Sequence, residues 1–208
     1  MRSRVTASLL YSLIAATGLF GARGLQAAPQ TIILIRHADK NIPLDGSDNL
    51  NSRGLNRALN LARVIPQCFG KPSRIFTYPF STKTSKHARS YQTAVPLGVK
   101  TSVRIELNYP SAPQSNIDPN NFEIGEMIKG LSHAKHPLVV VVWEHESIPE
   151  LARGLGTPGV KPIAYDNFNN LYLFKFQANE ATPQLKILSQ EQFFKNGCIE
   201  TTSGINPN

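Results

Sequence analysis

"TIILIRHADK", residues 31–40, sets a run of β-formers, Ile32 to Ile35, directly against Arg36 and His37, with Asp39 and Lys40 close behind. An unpartnered charge is costly to bury. A strand that ends on a cation and an imidazole therefore ends at a cleft, where α/β folds keep their ligands. A second stretch repeats the pattern. "VVVVWEHESIPEL" runs from a β-branched strand into Glu144, His145 and Glu146, and then into a helix. The strand at 138–143, "LVVVVW", is apolar throughout, which implies burial on both faces, as in a parallel sheet. Two histidines at the carboxyl ends of two parallel strands would face one crevice.

The rest of the chain reads as alternating strands and helices around these two. A helix begins near Ser52, the expected cap, with Leu55, Ala58, Leu59 and Ala62 at helical spacing and Pro66 as its expected end. "RIFTYP" is the next strand, "RSYQTAVPL" lies in a helix, and "VRIELNY" is a third strand. Ile124, Met127, Ile128 and Leu131 make another helical stripe, as do Ile148, Leu151, Ala152 and Leu155. "NLYLFKF" and "QLKILS" follow one another with no helix between, so they pair antiparallel. The expected architecture is α/β: a three-layer sandwich with a mostly parallel central sheet and an antiparallel C-terminal edge. The Pro/Ser/Asn-rich stretches 41–52, 79–86 and 108–121 are loops that could rim one cleft. Arg89 falls at the start of a helix, where free N–H groups favour anions. Arg36, Arg89, His37 and His145 thus form a candidate anion site, and two guanidinium forks suit a phosphoryl dianion.

These residues resemble the histidine phosphatase superfamily, also called phosphoglycerate mutase-like. Its signature, Arg-His-Gly at the end of the first strand, reads Arg36-His37-Ala38 here. "LNSRGLNRALNLA", "RSYQTAVPL", "WEHESIPELARGLG" and "AYDNFNNLYLF" are similar to further family segments, in the family's order, over most of residues 31–176. The resemblance implies a phosphomonoester hydrolase. His37 would be the nucleophile and form a phosphohistidine. Arg36, Arg89 and His145 would hold the phosphoryl oxygens. Lys40 would add a substrate-binding cation. Neither a metal nor another cofactor is expected, because guanidinium groups supply the positive charge. The resemblance also implies an acid for the leaving group. Glu146, directly after the second histidine, is the expected one. Glu144 should point away from His145 by strand alternation, and Glu106 is a third option. Ala38 departs from the family's glycine, so the backbone there cannot use conformations restricted to glycine.

The N-terminus suggests export. Arg2 and Arg4 precede an apolar run from Val5 to Ala22, and small residues follow to Ala27-Ala28-Pro29. This is the pattern of a signal peptide, residues 1–27, ahead of a single domain at 28–208. An uncleaved anchor is the competing reading, since the run borders on spanning length. The expected location is periplasmic or secreted, with no stable membrane insertion after cleavage. The chain carries a formal charge of +8 and stays basic without the signal's arginines. An anionic partner follows, a small phosphorylated substrate. Nucleic acid is not expected, because no Lys/Arg run is interleaved with aromatics. In an oxidising compartment Cys68 and Cys198 can pair. Their bond would close a loop of about 130 residues and contribute at most about 4–5 kcal/mol. Two other functions fit the same residues: a non-catalytic phosphate-binding module and a phosphoglycerate-type mutase.

Overall fold

The sheet has strand order β3-β2-β4-β1-β5-β6, with the two histidine-bearing strands side by side at its centre. The structure is a computed structural model. It describes residues 31–198 apart from 43–45, 108, 110–118, 178–179 and 181. The expected signal segment and most of the 108–121 loop lie outside the described residues. Along the chain come β1 (Thr31–Arg36), α1 (Ser52–Phe69), β2 (Arg74–Thr77), α2 (Ala88–Thr101) and β3 (Ile105–Glu106). Then follow α3 (Asn121–Lys129), β4 (Leu138–Trp143), α4 (Ile148–Gly154), β5 (Asn170–Lys175), β6 (Gln184–Ser189) and α5 (Gln190–Asn196).

β1 and β4 pair in parallel, Arg36 opposite Trp143. β2 pairs in parallel with both β4 and β3. β5 runs antiparallel to β1, and β6 antiparallel to β5. Every residue of β1 and β4 is buried, as central strands covered on both faces require. Alternation divides these side chains between two cores. Ile32, Leu34, Val139 and Val141 pack with α3 and α4 on one face, and Ile33, Ile35, Val140 and Val142 with α1, α2 and α5 on the other. The architecture is therefore a three-layer α/β sandwich. The chain leaves β1 toward one sheet edge and β4 toward the other. Their carboxyl ends consequently form a topological switch point, where a crevice opens.

Several local expectations shift. Asn51, not Ser52, caps α1, its Oδ1 accepting from the Gly54 N–H at 2.8 Å. Pro66 lies inside α1 rather than ending it, and the helix runs on to Phe69. The buried face of α1 carries Ala58, Leu61, Ala62 and Ile65, while Leu55 and Leu59 are about half exposed. The face is turned by the close approach of Gly54, where a Cβ would come 2.2 Å from the Asp39 carbonyl oxygen. β3 shrinks to two residues, and α5 was not expected at all. Cys68 at the end of α1 is bonded to Cys198 just past α5, which ties the last helix to the first. Among the described residues no helix is long and apolar enough to cross a membrane.

Candidate active site

Each segment of the site is held by bonds that the local sequence supplies. The His37 N–H donates to the Trp143 carbonyl at 3.0 Å, extending the β1–β4 ladder one residue past the strand. The next amide, of Ala38, donates to Thr93 Oγ1 at 2.9 Å. Thr93 is thus the residue of "RSYQTA" that fastens the turn after β1 to α2. Gln92 of the same helix accepts from the Leu50 N–H at 2.9 Å and fixes the far end of that turn. Ala38 is not among the described non-glycine residues with positive φ, which are Ser85, His87 and Ser102. Alanine in place of the family's glycine therefore costs no backbone strain.

His37 is fully buried, and its Nδ1 lies 2.7 Å from the Ala38 carbonyl oxygen. Only a protonated Nδ1 can bond there, so the neutral ring carries its lone pair on Nε2. Burial lowers the His37 pKa to about 4, assisted by Arg36 and Arg89 and opposed by Glu144. The nitrogen is therefore neutral at neutral pH.

Arg36 spends one end of its guanidinium on the protein. Its Nη1 donates to the Ala164 and Asn167 carbonyls at 3.1 and 2.9 Å, and the group lies 4.0 Å over the Phe168 ring. Its Nε and Nη2 are buried with no hydrogen-bond partner. Desolvation lowers its pKa to about 10, Glu144 and other anions working against the fall. Arg89 donates from Nη1 to the Ser47 carbonyl at 2.9 Å and approaches Asp48, while its buried Nε has no partner. His145 faces His37 edge-on with 6.5 Å between ring centroids, and its buried Nδ1 is likewise without a hydrogen bond. Buried polar nitrogens are normally satisfied. Four of the predicted residues here carry ones that are not.

Lys40 is buried, with its ammonium 4.0 Å over the Tyr165 ring, and Tyr165 in turn edges His145. Lys40 also borders a cavity of about 500 Å³ shared with Asn41, Arg53, Asp166, Phe168 and Glu191. That cavity lies beside the histidine pair rather than over it.

The two carboxylates that follow β4 are placed differently from the expectation of strand alternation. Glu146 is 85 % exposed and reaches only to 3.8 Å from His145. Glu144, expected to face away, is buried with one oxygen 3.6 Å from His37 Nε2. Its other oxygen accepts from Ser90 Oγ at 3.2 Å and lies 3.6 Å from His87 Nδ1. The reason is that the chain turns immediately after β4, the Ser147 N–H donating to the Glu144 carbonyl. Strand alternation stops applying at that point. Burial pushes the Glu144 carboxyl up, but contact with His87 and the charges of His37, His87 and Arg89 outweigh it and hold the pKa at about 2. Glu106, the third option, is paired with Arg74 on the edge of the sheet. Ligand atoms of His37, Glu144 and His145 lie within 4.8 Å of one another, close enough for a metal ion, but two guanidinium groups beside them oppose a dication.

The fold recurs in known structures. The protein histidine phosphatase SixA complexed with tungstate aligns with a TM-score of 0.56 at 13 % identity, covering 78 % of this chain and 99 % of that one. The chain has the histidine phosphatase fold. A putative phosphohistidine phosphatase SixA from Agrobacterium tumefaciens aligns at 0.53 and 16 % identity, covering 77 % of this chain and 98 % of that one. Its counterpart from Nakamurella multipartitia aligns at 0.51 and 15 % identity, covering 78 % and 97 %. No family model matches the sequence, and no curated protein matches it.

Sequence reasoning missed His87 and Phe168 at this site and misjudged the direction of Glu144, which it had weighed as an acid. His87 could have been found from its place two residues before Arg89. Phe168 walls the site between Arg36 and His37, 5.7 Å from the histidine ring.

Proposed function

We propose that the protein hydrolyses phosphate monoesters through a phosphohistidine on His37. One observation carries the reading. The buried nitrogens without partners on Arg36, Arg89 and His145 surround a neutral imidazole whose free nitrogen is the nucleophilic one. Their missing partners are what a tetrahedral oxyanion supplies. His37 Nε2 attacks phosphorus and the ester P–O bond breaks. Arg36, Arg89 and His145 hold the three remaining oxygens as charge develops. Glu144, the carboxyl nearest the reacting nitrogen, passes a proton to the departing oxygen once it has itself been protonated, since Glu146 stands at the rim. Water then attacks phosphorus and gives a proton to the Glu144 carboxylate, the P–N bond breaks, and His37 recovers its lone pair. The named phosphatases with this fold support the same chemistry. So does the basic charge of the chain.

The substrate we infer is a small phosphate ester met outside the cytoplasm, in keeping with the N-terminal export pattern and the cystine. The deciding experiment is acid-labile labelling of His37 by a phosphorylated substrate. Stable phosphoenzyme in the wild-type protein and none in His37→Ala supports the reading. Anion binding without labelling or turnover would instead favour the non-catalytic module.

A further inference from the structure

Glu144 poses a problem for the site it occupies. A carboxylate 3.6 Å from His37 Nε2 stands where a phosphoryl dianion must come, and like charges at that range repel strongly in a buried setting. The contact with His87 on its other side is a built feature. His87 adopts φ 68°, the left-handed region, as the N-cap of α2. Its ring stacks at 4.9 Å on Tyr78, which is itself packed edge-on against Trp143. This holds Nδ1 toward the carboxylate. Ser90, one turn along the same helix, donates to the same oxygen.

We propose that His87 and Glu144 act as a pair that takes up one proton when a tetrahedral anion enters, so that the anion meets a neutralised carboxyl. His87 is then a positioning residue that acts through Glu144. This rests on the anion-site reading above but not on the phosphohistidine. The other charged groups facing the pair are Arg36 and His37 from the end of β1, Arg89 from α2, and His145 after β4. Asp39 and Tyr165 are felt at longer range through Arg36, and Lys40 and Glu146 through His145. The cations favour the carboxylate while the site is empty. An entering dianion offsets them, and the proton goes to this pair because its carboxylate is buried beside His37 Nε2, whereas the Glu146 carboxylate paired with His145 opens to solvent.

The test uses inorganic sulfate, a tetrahedral dianion that does not itself titrate near neutrality. Calorimetry in two buffers of different ionisation enthalpy counts the protons bound. The expected uptake at pH 7.5 is about one proton per sulfate for the wild-type chain. Glu144→Gln removes the charge and should take up none, while binding sulfate at pH 8 about tenfold more tightly or better. His87→Asn tolerates the left-handed backbone and keeps an N–H for Glu144, yet carries no titrating proton. It should take up less than half a proton and bind about tenfold more weakly at pH 7.5. Uptake that survives in Glu144→Gln would put the proton on His37 or His145 and overturn the proposal. So would wild-type uptake in His87→Asn, which would leave His87 a mere hydrogen-bond donor. Absence of sulfate binding in the wild type would overturn the anion site and this proposal together. Loss of the phosphoenzyme alone would overturn only the covalent mechanism.

Discussion

Two clusters of charge flank the turn after β1, and they differ in one respect. On one side Arg36, Arg89, His37 and His145 are buried with nitrogens left unpaired. On the other, Asp39 and Arg57 are just as buried, but paired. Arg57 Nε meets one Asp39 oxygen at 2.5 Å, Arg53 the other at 3.1 Å, and Glu191 and Gln190 complete the far side of Arg57. Asp39 anchors α1 and α5 to the end of β1. The comparison separates two uses of a buried guanidinium. A satisfied one holds chain segments together. An unsatisfied one is reserved for something that arrives.

The largest effect that could break this contrast is on the nucleophile. His37→Ala should reduce phosphatase turnover by more than about 10³-fold while circular dichroism stays native. Retention of even a tenth of the activity would end the covalent mechanism. A matched pair of variants then sharpens the contrast. Arg57→Met leaves Asp39 buried with the exposed Arg53 as its one ion-pair partner among the described residues and should cost about 3 kcal/mol in denaturant unfolding. Arg36→Met should change stability by less than about 1 kcal/mol, because it removes a desolvated charge that has no ion-pair partner among the described residues. It should still lower kcat/KM by about 10²–10³-fold. Equal stability losses in the two would erase the distinction.

The acid side of the pH profile gives a smaller effect. His37 must be neutral to attack, and its pKa is lowered to about 4. Protonation of His37 should therefore not limit kcat/KM until the pH reaches that region, below which it adds a loss of about tenfold per unit. A fall already centred near the ordinary histidine value of about 6.5 would mean that His37 is not desolvated as described. The smallest effects belong to the rim and to metals. Glu146→Gln should stay within about twofold of wild type on alkyl phosphates, well short of the factor of about 10² or more that a general acid contributes. Chelator should likewise leave activity within about twofold, and rescue of a larger loss by a divalent ion would favour the His37–Glu144–His145 triplet as ligands.

The sequence by itself determined the layers and the place of the site. Period-two and period-3.6 patterns are local, and burial of "TIILIR" and "LVVVVW" on both faces follows from their composition alone. So does the position of His37 and His145 at strand ends, because a charge or imidazole after a buried strand has only the sheet's edge to go to. The short helix after β6 carried no such signal. "QEQFFKN" is mostly polar, and it is held by Phe193 in the core and by the cystine to α1, both contacts made across the fold. Tertiary structure alone decided the direction of side chains once regular structure stopped. Glu144 and Glu146 differ by two positions, and the turn after β4 buries one against His37 and His87 and leaves the other in water. Asp39 found Arg57 only because α1 packs closely on the β1 turn through Gly54. Periodicity fixes orientation only while the backbone repeats, and the residues that do the chemistry sit where it no longer does.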